Sequence, residues 1–214
     1  MYMAKNVGRL VFNSFGVNTY ILSDNTGKCL IVDPACSGPG EESRLAAYIA
    51  GNELTPLGMV NTHFHIDHIL GNTFACKSYN LQPLCHAGSK LLWETAESYG
   101  LAFGLKIENM ITPVDFVEEG DSIPFGNASL QVLYTPGHAD GSICLVNHDE
   151  KYVISGDVLF RDSIGRTDLP TGNFDVLYES ITRKLFTLPD DYTVYPGHGP
   201  ETTIGYEKRN NPFL

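Results

Sequence analysis

The chain has few basic residues and no place where they gather. Its 214 residues include 14 lysines and arginines against 25 aspartates and glutamates, which gives a formal net charge of −11. Nucleic acids and anionic membrane surfaces are held chiefly by clusters of basic side chains. We therefore expect neither to be a main partner of this protein.

Long apolar runs are missing as well. No stretch of the sequence approaches the roughly 20 apolar residues that a membrane-spanning helix needs. Residues 1–6 do not lead into an apolar segment followed by a cleavage site. We therefore expect no membrane partner and no signal peptide, and a cytoplasmic location follows as the default expectation.

Cysteine is sparse, and its spacing suggests no pairing. The five cysteines are odd in number and include no C-x-x-C motif. This pattern is typical of a reducing compartment rather than of a disulfide framework. Cys29 and Cys144 lie in apolar strand-like runs and are expected to be buried, whereas Cys36 lies in a predicted loop where nothing in the pattern requires burial.

Short apolar runs bounded by turn residues predict strands in both halves of the chain. Helical spacing predicts helices at Glu41–Ala50, Ser89–Glu97 and Phe174–Leu188. Tyr99–Pro113 has no clear period and is interpreted as a loop or an irregular helix near the site. Each half runs from strands towards a helix, which predicts an α/β fold with two facing sheets flanked by helices, in four layers. No linker is evident, so residues 1–214 are predicted to form one domain.

The densest group of metal-competent side chains directly follows an apolar strand-like run. His63, His65, Asp67 and His68 all fall within this short segment. On an extended backbone the side chains of His63 and His65 point the same way, and a helix that starts near Ile66 would turn the other two back towards them. Imidazole and carboxylate groups are typical ligands of zinc and iron. The segment is therefore predicted to bind a metal.

Three later segments repeat one arrangement, in which an apolar strand is followed by a small or turning residue and then by a metal-competent side chain. Those side chains are His138, Asp157 and His198. Each segment alone is a weak signal. Together with the first cluster they supply more ligands than one tetrahedral ion can use, which suits two adjacent ions. His86 and His148 are left over and are interpreted as surface or structural residues.

The H-x-H-x-D-H cluster, followed in order by a histidine, an aspartate and a histidine at strand ends, resembles the signature of the metallo-β-lactamase-fold hydrolases. The resemblance covers nearly the whole chain and implies the αββα sandwich. It implies that one metal is held by His63, His65 and His138. It implies that the second is held by Asp67, His68 and His198, with Asp157 bridging the two.

Within that superfamily the chain is similar to the glyoxalase II group, the hydroxyacylglutathione hydrolases. The segments that carry this similarity are Thr135–His138, Ser155–Asp157 and Gly165–Pro170. Full-length glyoxalase II has a helical C-terminal domain that binds much of the glutathione. Only Pro200–Leu214 follows the last predicted ligand here, so the similarity is to a short form without that domain.

One basic residue is singled out by the same resemblance. Arg166 occupies the place where glyoxalase II has a basic residue near the carboxylate of the glutathione moiety, and it is the predicted substrate-binding residue. The alternative for Arg166 is a surface ion pair with Asp168.

The resemblance implies that the partner is a small-molecule thioester, hydrolysed by a hydroxide that bridges two divalent metal ions. Zinc is the expected metal, with iron or manganese as alternatives. Asp67 is the predicted catalytic residue, because its second oxygen can orient the hydroxide. The leaving group is a thiolate, and because the pKa of a thiol is about 8.5, its departure needs no strong general acid. A Ser-His-Asp triad is a poor rival, since no G-x-S-x-G motif is present.

Two other functions stay open. Persulfide dioxygenases share the fold and use one iron, which by resemblance would be held by His63, His138 and Asp157. A non-catalytic metal-binding module is the second, although the ligand candidates exceed what a closed structural site needs. The acyl group, the thiol carrier and the oligomeric state are left open.

Overall fold

Two six-stranded sheets face each other in the computed structural model, which describes residues 6–105, 107 and 109–214. The first sheet contains, in spatial order, β1 (Val7–Phe12), β2 (Val17–Ser23), β3 (Lys28–Val32), β4 (Thr55–Val60), β5 (Pro83–Cys85) and β6 (Asp115–Phe116). The second contains β7 (Ser122–Phe125), β8 (Ala128–Tyr134), β9 (Ile143–Asn147), β10 (Tyr152–Gly156), β13 (Thr193–Pro196) and β14 (Thr202–Thr203). A separate hairpin pairs β11 (Leu159–Phe160) with β12 (Ser163–Ile164).

Helices cover the outer face of each sheet. The α-helices are α1 (Gly38–Gly51), α2 (Asn72–Tyr79), α3 (Lys90–Ala102), α4 (Phe174–Arg183) and α5 (Ile204–Asn210). Single 3₁₀ turns span Ile66–His68, Ala87–Ser89 and Leu185–Thr187. None of the described helices combines the length and the apolar character that crossing a membrane requires.

Period-two alternation of apolar side chains builds the layers. On β2, Tyr20 and Leu22 join the core between the sheets, whereas Ile21 between them packs with the residues of α1. On β10, Ile154 faces the other sheet and Val153 packs against α4. Fully burying one such side chain contributes about 1.5–3 kcal/mol. Because both faces of both sheets are covered, the chain forms the four-layer α/β arrangement, as predicted.

Strand direction brings five strand ends to one edge of the sandwich. β3 runs parallel to β4, and β10 runs parallel to β13. β8 and β10 are each antiparallel to β9, so they run in the same direction. Backbone hydrogen bonds join the two sheets at this edge, from Asn18 N to Gly197 O (2.7 Å) and from Ile143 N to Thr62 O (2.9 Å). The loops that follow these strands therefore meet at one place.

All three predicted helices differ from the structure at their ends, and α1 begins at Gly38 rather than at Glu41. The helix predicted at Ser89–Glu97 is α3, which continues to Ala102 and buries Trp93, Ala96 and Gly100 on one face. The helix predicted at Phe174–Leu188 ends at Arg183, and the chain tightens into a 3₁₀ turn that still buries Leu185 and Leu188. Spacing of three residues suits a 3₁₀ turn, so the apolar period runs past the true end of the α-helix.

Other expectations also need correction or completion. Cys36 is buried, since it lies against Gly71 and packs in the cluster beneath α1. Within Tyr99–Pro113, residues up to Ala102 are helical, and Lys106 and Glu108 lie outside the described residues. The sequence reasoning did not identify α2, α5 or the hairpin.

The two histidines left over have structural contacts. His148 is hydrogen-bonded to Tyr192 and Gln131, and His86 stacks on Tyr134.

Gly141, in the loop before β9, offers a test of the packing at this edge. It has φ +77°, and a Cβ there would lie 2.2 Å from the backbone nitrogen of Ser89. Gly38 has φ +76°, but no atom of the described residues lies within 4 Å of its Cβ position. Both Gly→Ala changes carry the cost of a positive φ. Overpacking should make Gly141→Ala lower the free energy of unfolding by about 1–3 kcal/mol more than Gly38→Ala, measured by urea denaturation. Equal losses would contradict the close packing of this loop.

Candidate metal centre

The structure brings all seven predicted ligands together at the edge where the strand ends meet. The ligand atoms of His63, His65 and His138 lie within 4.8 Å of one another. A second group with the same mutual spacing contains Asp67, His68 and His198. The 3₁₀ turn after the first two histidines accounts for this division, because it turns Asp67 and His68 away from the extended segment. These are the two groups that the family resemblance implies, and metal binding by them stays a prediction.

Asp157 lies between the two groups. Its Oδ2 atom is 3.6 Å from Nε2 of His138, in the first group, and 3.5 Å from Nε2 of His198, in the second. Its Oδ1 atom is 3.4 Å from Nε2 of His68. A carboxylate in this position can contact two adjacent cations at once.

Hydrogen bonds to Nδ1 fix how several imidazoles face the centre. His138 Nδ1 donates to the backbone carbonyl of Arg166 (2.7 Å), and His198 Nδ1 donates to that of Phe15 (3.1 Å). A proton on Nδ1 leaves the lone pair of Nε2 free for a metal, and such outer partners orient metal-binding histidines. The loops therefore present Nε2 atoms to the centre.

Asp33 is a functional residue that the sequence reasoning missed. It is buried, and Thr62 donates to it twice, from N to Oδ1 (2.7 Å) and from Oγ1 to Oδ2 (2.6 Å). Nδ1 of His68 donates to the same Oδ2 (3.0 Å). Ligand atoms of Asp33, His63 and His68 also lie within 4.8 Å of one another. Because both oxygens of Asp33 already accept hydrogen bonds, its geometry suits orienting His68 better than binding a metal. The signal was present, because Asp33 also directly follows an apolar strand.

Thr62 extends this network to a second histidine. Its hydroxyl hydrogen goes to Asp33, so the oxygen can accept from Nδ1 of His63, which lies 3.1 Å away. The carboxylate of Asp33 thus orients His68 in the second group, and the hydroxyl of Thr62 orients His63 in the first.

The first group is held in the neutral form that a metal ligand requires. Burial, reinforced by the neighbouring imidazoles, holds the pKa of His63 well below its ordinary value. Burial lowers the pKa of His65 to about 3, and it also lowers that of His138 despite the charge of Asp157. Three uncharged imidazoles are therefore available at neutral pH.

In the second group, carboxylates favour protonated histidine. Burial acts to lower the pKa of His68, but the charges of Asp157 and Asp67 outweigh it and raise that pKa well above the ordinary value. Burial likewise acts against His198, whose hydrogen bonds to the same carboxylates raise its pKa to about 9. A proton on either imidazole offsets part of the negative charge of the two carboxylates. Divalent cations would replace such protons, because ligands must give up their protons to bind a metal.

Unpartnered buried atoms provide the test of whether these residues fit metal ions. The Nε2 atoms of His63, His65 and His138 and the Oδ1 atom of Asp157 are buried and find no hydrogen-bond partner among the described residues. An unsatisfied buried polar group costs about 1–3 kcal/mol, so several at one point are unusual. Nitrogen and oxygen ligands of this kind suit zinc, iron or manganese. The donor set therefore fits divalent metal ions.

The glycine before the last histidine is required by close approach. A Cβ at Gly197 would lie 2.1 Å from Oδ1 of Asp157 and 2.8 Å from Cε1 of His68. Only glycine lets the backbone pass this near to the centre.

A cavity of about 540 Å³ opens onto the centre, a size typical of small-molecule sites. His65, Asp67, His138, Asp157 and His198 form its polar floor. Its walls are mainly apolar and aromatic, from Phe15, Tyr99, Phe103, Phe160, Ile164 and Leu169. Two basic side chains, Arg161 and Arg166, also line the cavity.

Arg166 combines the two arrangements considered for it. It lines the cavity, and its guanidinium also forms a bidentate ion pair with Asp168, with Nε–Oδ1 at 2.8 Å and Nη2–Oδ2 at 2.7 Å. Both side chains are largely exposed. The ion pair is present, and substrate binding by Arg166 stays a prediction.

Comparison with known families gives one match that spans most of the chain. Residues 13–198 match the model of the metallo-beta-lactamase superfamily. That range contains all seven predicted ligands and Asp33.

Curated relatives match over nearly their whole length. A probable metallo-hydrolase of Bacillus subtilis is 39% identical over 209 residues, covering 97% of this chain and 94% of that protein. The hydroxyacylglutathione hydrolase GloC of Haemophilus influenzae is 34% identical over 212 residues, covering 98% of each.

Solved structures match just as extensively. The BLEG-1 B3 metallo-beta-lactamase superposes with a TM-score of 0.89 at 31% identity, covering 97% of this chain and 99% of that one. TTHA1623 in a di-iron-bound form gives 0.87 at 36% identity, with 97% and 100% coverage. ETHE1 from Myxococcus xanthus gives 0.78 at 31% identity, with 96% and 83% coverage.

Asp33→Asn tests the orienting carboxylate. An asparagine has a single acceptor oxygen, so it cannot accept all three hydrogen bonds that Thr62 and His68 donate to the carboxylate, and we expect zinc affinity of the second group to fall about 10- to 100-fold. Competitive titration with a chelator measures this affinity, and native mass spectrometry counts the bound ions. Asp24→Asn is the matched control, because that carboxylate also accepts several hydrogen bonds but organises a turn outside the centre. Equal zinc affinity in wild type and Asp33→Asn would contradict the orienting role.

Metal removal tests the unpartnered atoms. Adding zinc to chelator-treated protein should raise the melting temperature, since an ion that binds only the folded state at a hundred times its Kd stabilises it by about 2.7 kcal/mol. Differential scanning calorimetry measures the shift, with magnesium as the control ion. In His63→Ala the shift should be smaller. A melting temperature that zinc does not change would argue against a metal centre here.

Proposed function

The chain belongs to the metallo-β-lactamase superfamily, and from that premise we propose that it is a metal-dependent hydrolase that cleaves thioesters of the hydroxyacylglutathione type. The observation that carries the proposal is the convergence of two complete ligand groups, with Asp157 between them, on the floor of a cavity large enough for such a substrate. The relationship to GloC over nearly the full length of both chains supports the choice of thioester.

We propose two divalent ions, with zinc as the metal. His63, His65 and His138 would hold one ion. Asp67, His68 and His198 would hold the other, and Asp157 would contact both. When bound, such ions supply a hydroxide nucleophile at neutral pH and polarise a carbonyl, since a metal can lower the pKa of water from 15.7 to about 7.

Asp67 is the proposed catalytic residue. Its Oδ2 atom lies 3.4 Å from Nε2 of His198, on the side of its own ligand group. The side chain also borders the cavity, so its other oxygen can accept a hydrogen bond from the attacking water and orient it. The leaving thiol is acidic enough to depart as thiolate, so the residues around it need only accommodate the departing group.

The apolar walls have a part in this proposal. The rings of Phe160 and His198 lie 6.3 Å apart, and Phe15 borders the same part of the cavity. Aromatic side chains beside the floor displace water from around the reacting carbonyl, and electrostatic interactions are stronger in a drier site. Arg166, on the same lining, is the proposed contact for a carboxylate of glutathione, although it would have to share its guanidinium with Asp168.

A persulfide dioxygenase with one iron is the second candidate. The similarity to a di-iron-bound structure indicates that iron is compatible with this fold. The second ligand group offers a place for a second ion, as the hydrolase requires, but a dioxygenase could carry the same residues without filling that site. Oxygen consumption with glutathione persulfide by the iron-loaded protein distinguishes the candidates.

Hydrolysis of S-lactoylglutathione by zinc-reconstituted protein tests the proposal. Asp67→Ala should lower kcat by about 10²-fold or more, because orientation of the nucleophile is lost. Loss of thioester absorbance measures the rate, and metal content is determined on the same samples. Asp175→Ala, at an exposed position on α4, is the control and should behave as wild type.

The outcomes separate the candidates. No turnover by wild-type protein that carries two zinc ions would exclude this substrate. Oxygen consumption by iron-loaded protein would then identify the dioxygenase, and release of product from a β-lactam would identify a lactamase.

A further inference from the structure

Arg161 lines the same cavity as Arg166 but has a different electrostatic setting. It directly follows β11 and is half exposed at the rim. Its guanidinium makes no hydrogen bond to any described residue. The one carboxylate within ion-pair distance in the described chain is Asp162, at 3.8 Å between Nε and Oδ2. Its positive charge is therefore only weakly compensated.

Asp162 is held mainly by helix α5, and its contact with Arg161 is long. Its Oδ1 atom accepts a hydrogen bond from the hydroxyl of Tyr206 (2.8 Å). Its backbone nitrogen donates to Oε2 of the buried Glu207 (3.1 Å). These contacts hold Asp162 in place and leave the terminal nitrogens of Arg161 without a carboxylate.

Helix α5 also positions the Arg161 side chain. The guanidinium carbon lies 5.3 Å from the centre of the Tyr206 ring, a distance typical of a cation–π contact. The amide of Asn211 donates to the carbonyl of Ser163 (3.0 Å), which fixes the other strand of the hairpin. A side chain that is oriented before binding loses less entropy when it meets a ligand.

The contrast with Arg166 decides which arginine is available for an anion. Arg166 already has both oxygens of Asp168 in bidentate contact, so a ligand carboxylate there would compete with a resident one. No such competitor has to be displaced at Arg161. Since the reacting carbonyl must reach the buried floor, a residue at the rim meets the outer part of the substrate, which is the thiol carrier.

We infer that Arg161 binds an anionic group on the thiol carrier and so makes the enzyme selective for anionic over neutral carriers. The inference rests on the proposed thioester hydrolysis. It assigns specificity to the β11–β12 hairpin and gives α5 the task of holding that hairpin in place.

Two substrates with one acyl group test the inference. S-lactoylglutathione has an anionic carrier, and S-lactoyl-N-acetylcysteamine has a neutral one. Arg161→Gln should raise KM for the glutathione thioester about tenfold, because a charge-assisted contact is lost. The fall in kcat/KM should be at least about five times larger for that substrate than for the neutral one. Arg161→Lys should recover part of the loss.

Two further arginine variants are the controls. Arg183→Gln, on the exposed part of α4 and paired with Glu179, should resemble wild type with both substrates. Arg166→Gln should reduce selectivity less than Arg161→Gln, because Asp168 already compensates the charge of Arg166. KM for the anionic substrate should also rise with salt in wild type, and this dependence should weaken in Arg161→Gln.

A merely structural role predicts a different pattern. If Arg161→Gln reduces kcat/KM equally for both carriers, with an unchanged salt dependence, the inference is wrong. If wild type hydrolyses neither thioester, the proposed function fails, and calorimetric binding of S-hexylglutathione to zinc-loaded protein decides the inference separately. Weaker binding to Arg161→Gln than to wild type would support it, and equal or undetectable binding to both would overturn it.

Discussion

Two partly buried carboxylates, Asp67 and Asp157, lie among five imidazoles, and nearby positive charge stabilises them. In the metal-free protein Asp67 and Asp157 favour protonation of His68 and His198, because the two carboxylates raise the pKa of each imidazole. The other three imidazoles are kept neutral by burial. The second ligand group thus favours protonated imidazoles, whereas the first offers neutral imidazoles with free lone pairs. Cations would be favourable in both groups, since they replace protons in the second and satisfy unpartnered nitrogens in the first.

Grouping these charged and polar side chains costs free energy. The fold offsets that cost by joining the two sheets where the ligands lie. Backbone hydrogen bonds cross between the sheets beside the ligand loops, and an isolated bridge pairs Val17 with His198. Asp33, at the end of a strand in the first sheet, orients a histidine that contacts ligands from the second. Rigid strand ends linked in this way preorganise the ligands, so little rearrangement is needed on binding. Stability of the sandwich and geometry of the centre therefore depend on the same contacts.

Much of the fold and of the candidate centre can be predicted from the sequence, because the signals for them are local. The four layers follow from apolar alternation, and the ligand clusters follow from strand ends succeeded by histidine or aspartate. Asp33 has the same local signal, but its role depends on the parallel pairing of β3 with β4, which places Thr62 beside it. A single sequence does not display that pairing. The end of α4 was missed because Leu185 and Leu188 continue the apolar period after the helix has tightened. The sequence does not single out Arg161, since its significance lies in the weak compensation of its charge, which only the positions of Asp162 and Tyr206 reveal.

The segment from β11 to Arg166 contributes both to the proposed substrate recognition and to the geometry of the metal centre, and it does so through different atoms. The backbone carbonyl of Arg166 orients His138, whatever its side chain does. The side chain of Arg161 carries the charge left free for a substrate, and α5 holds the hairpin through Glu207 and Asn211. Side chains on this stretch can therefore change with little effect on the ligand geometry, provided that the backbone stays in place. Under the proposed thioester hydrolysis, such a separation would let one metal centre serve different thiol carriers, because specificity would reside in side chains that neither bind nor orient the metal.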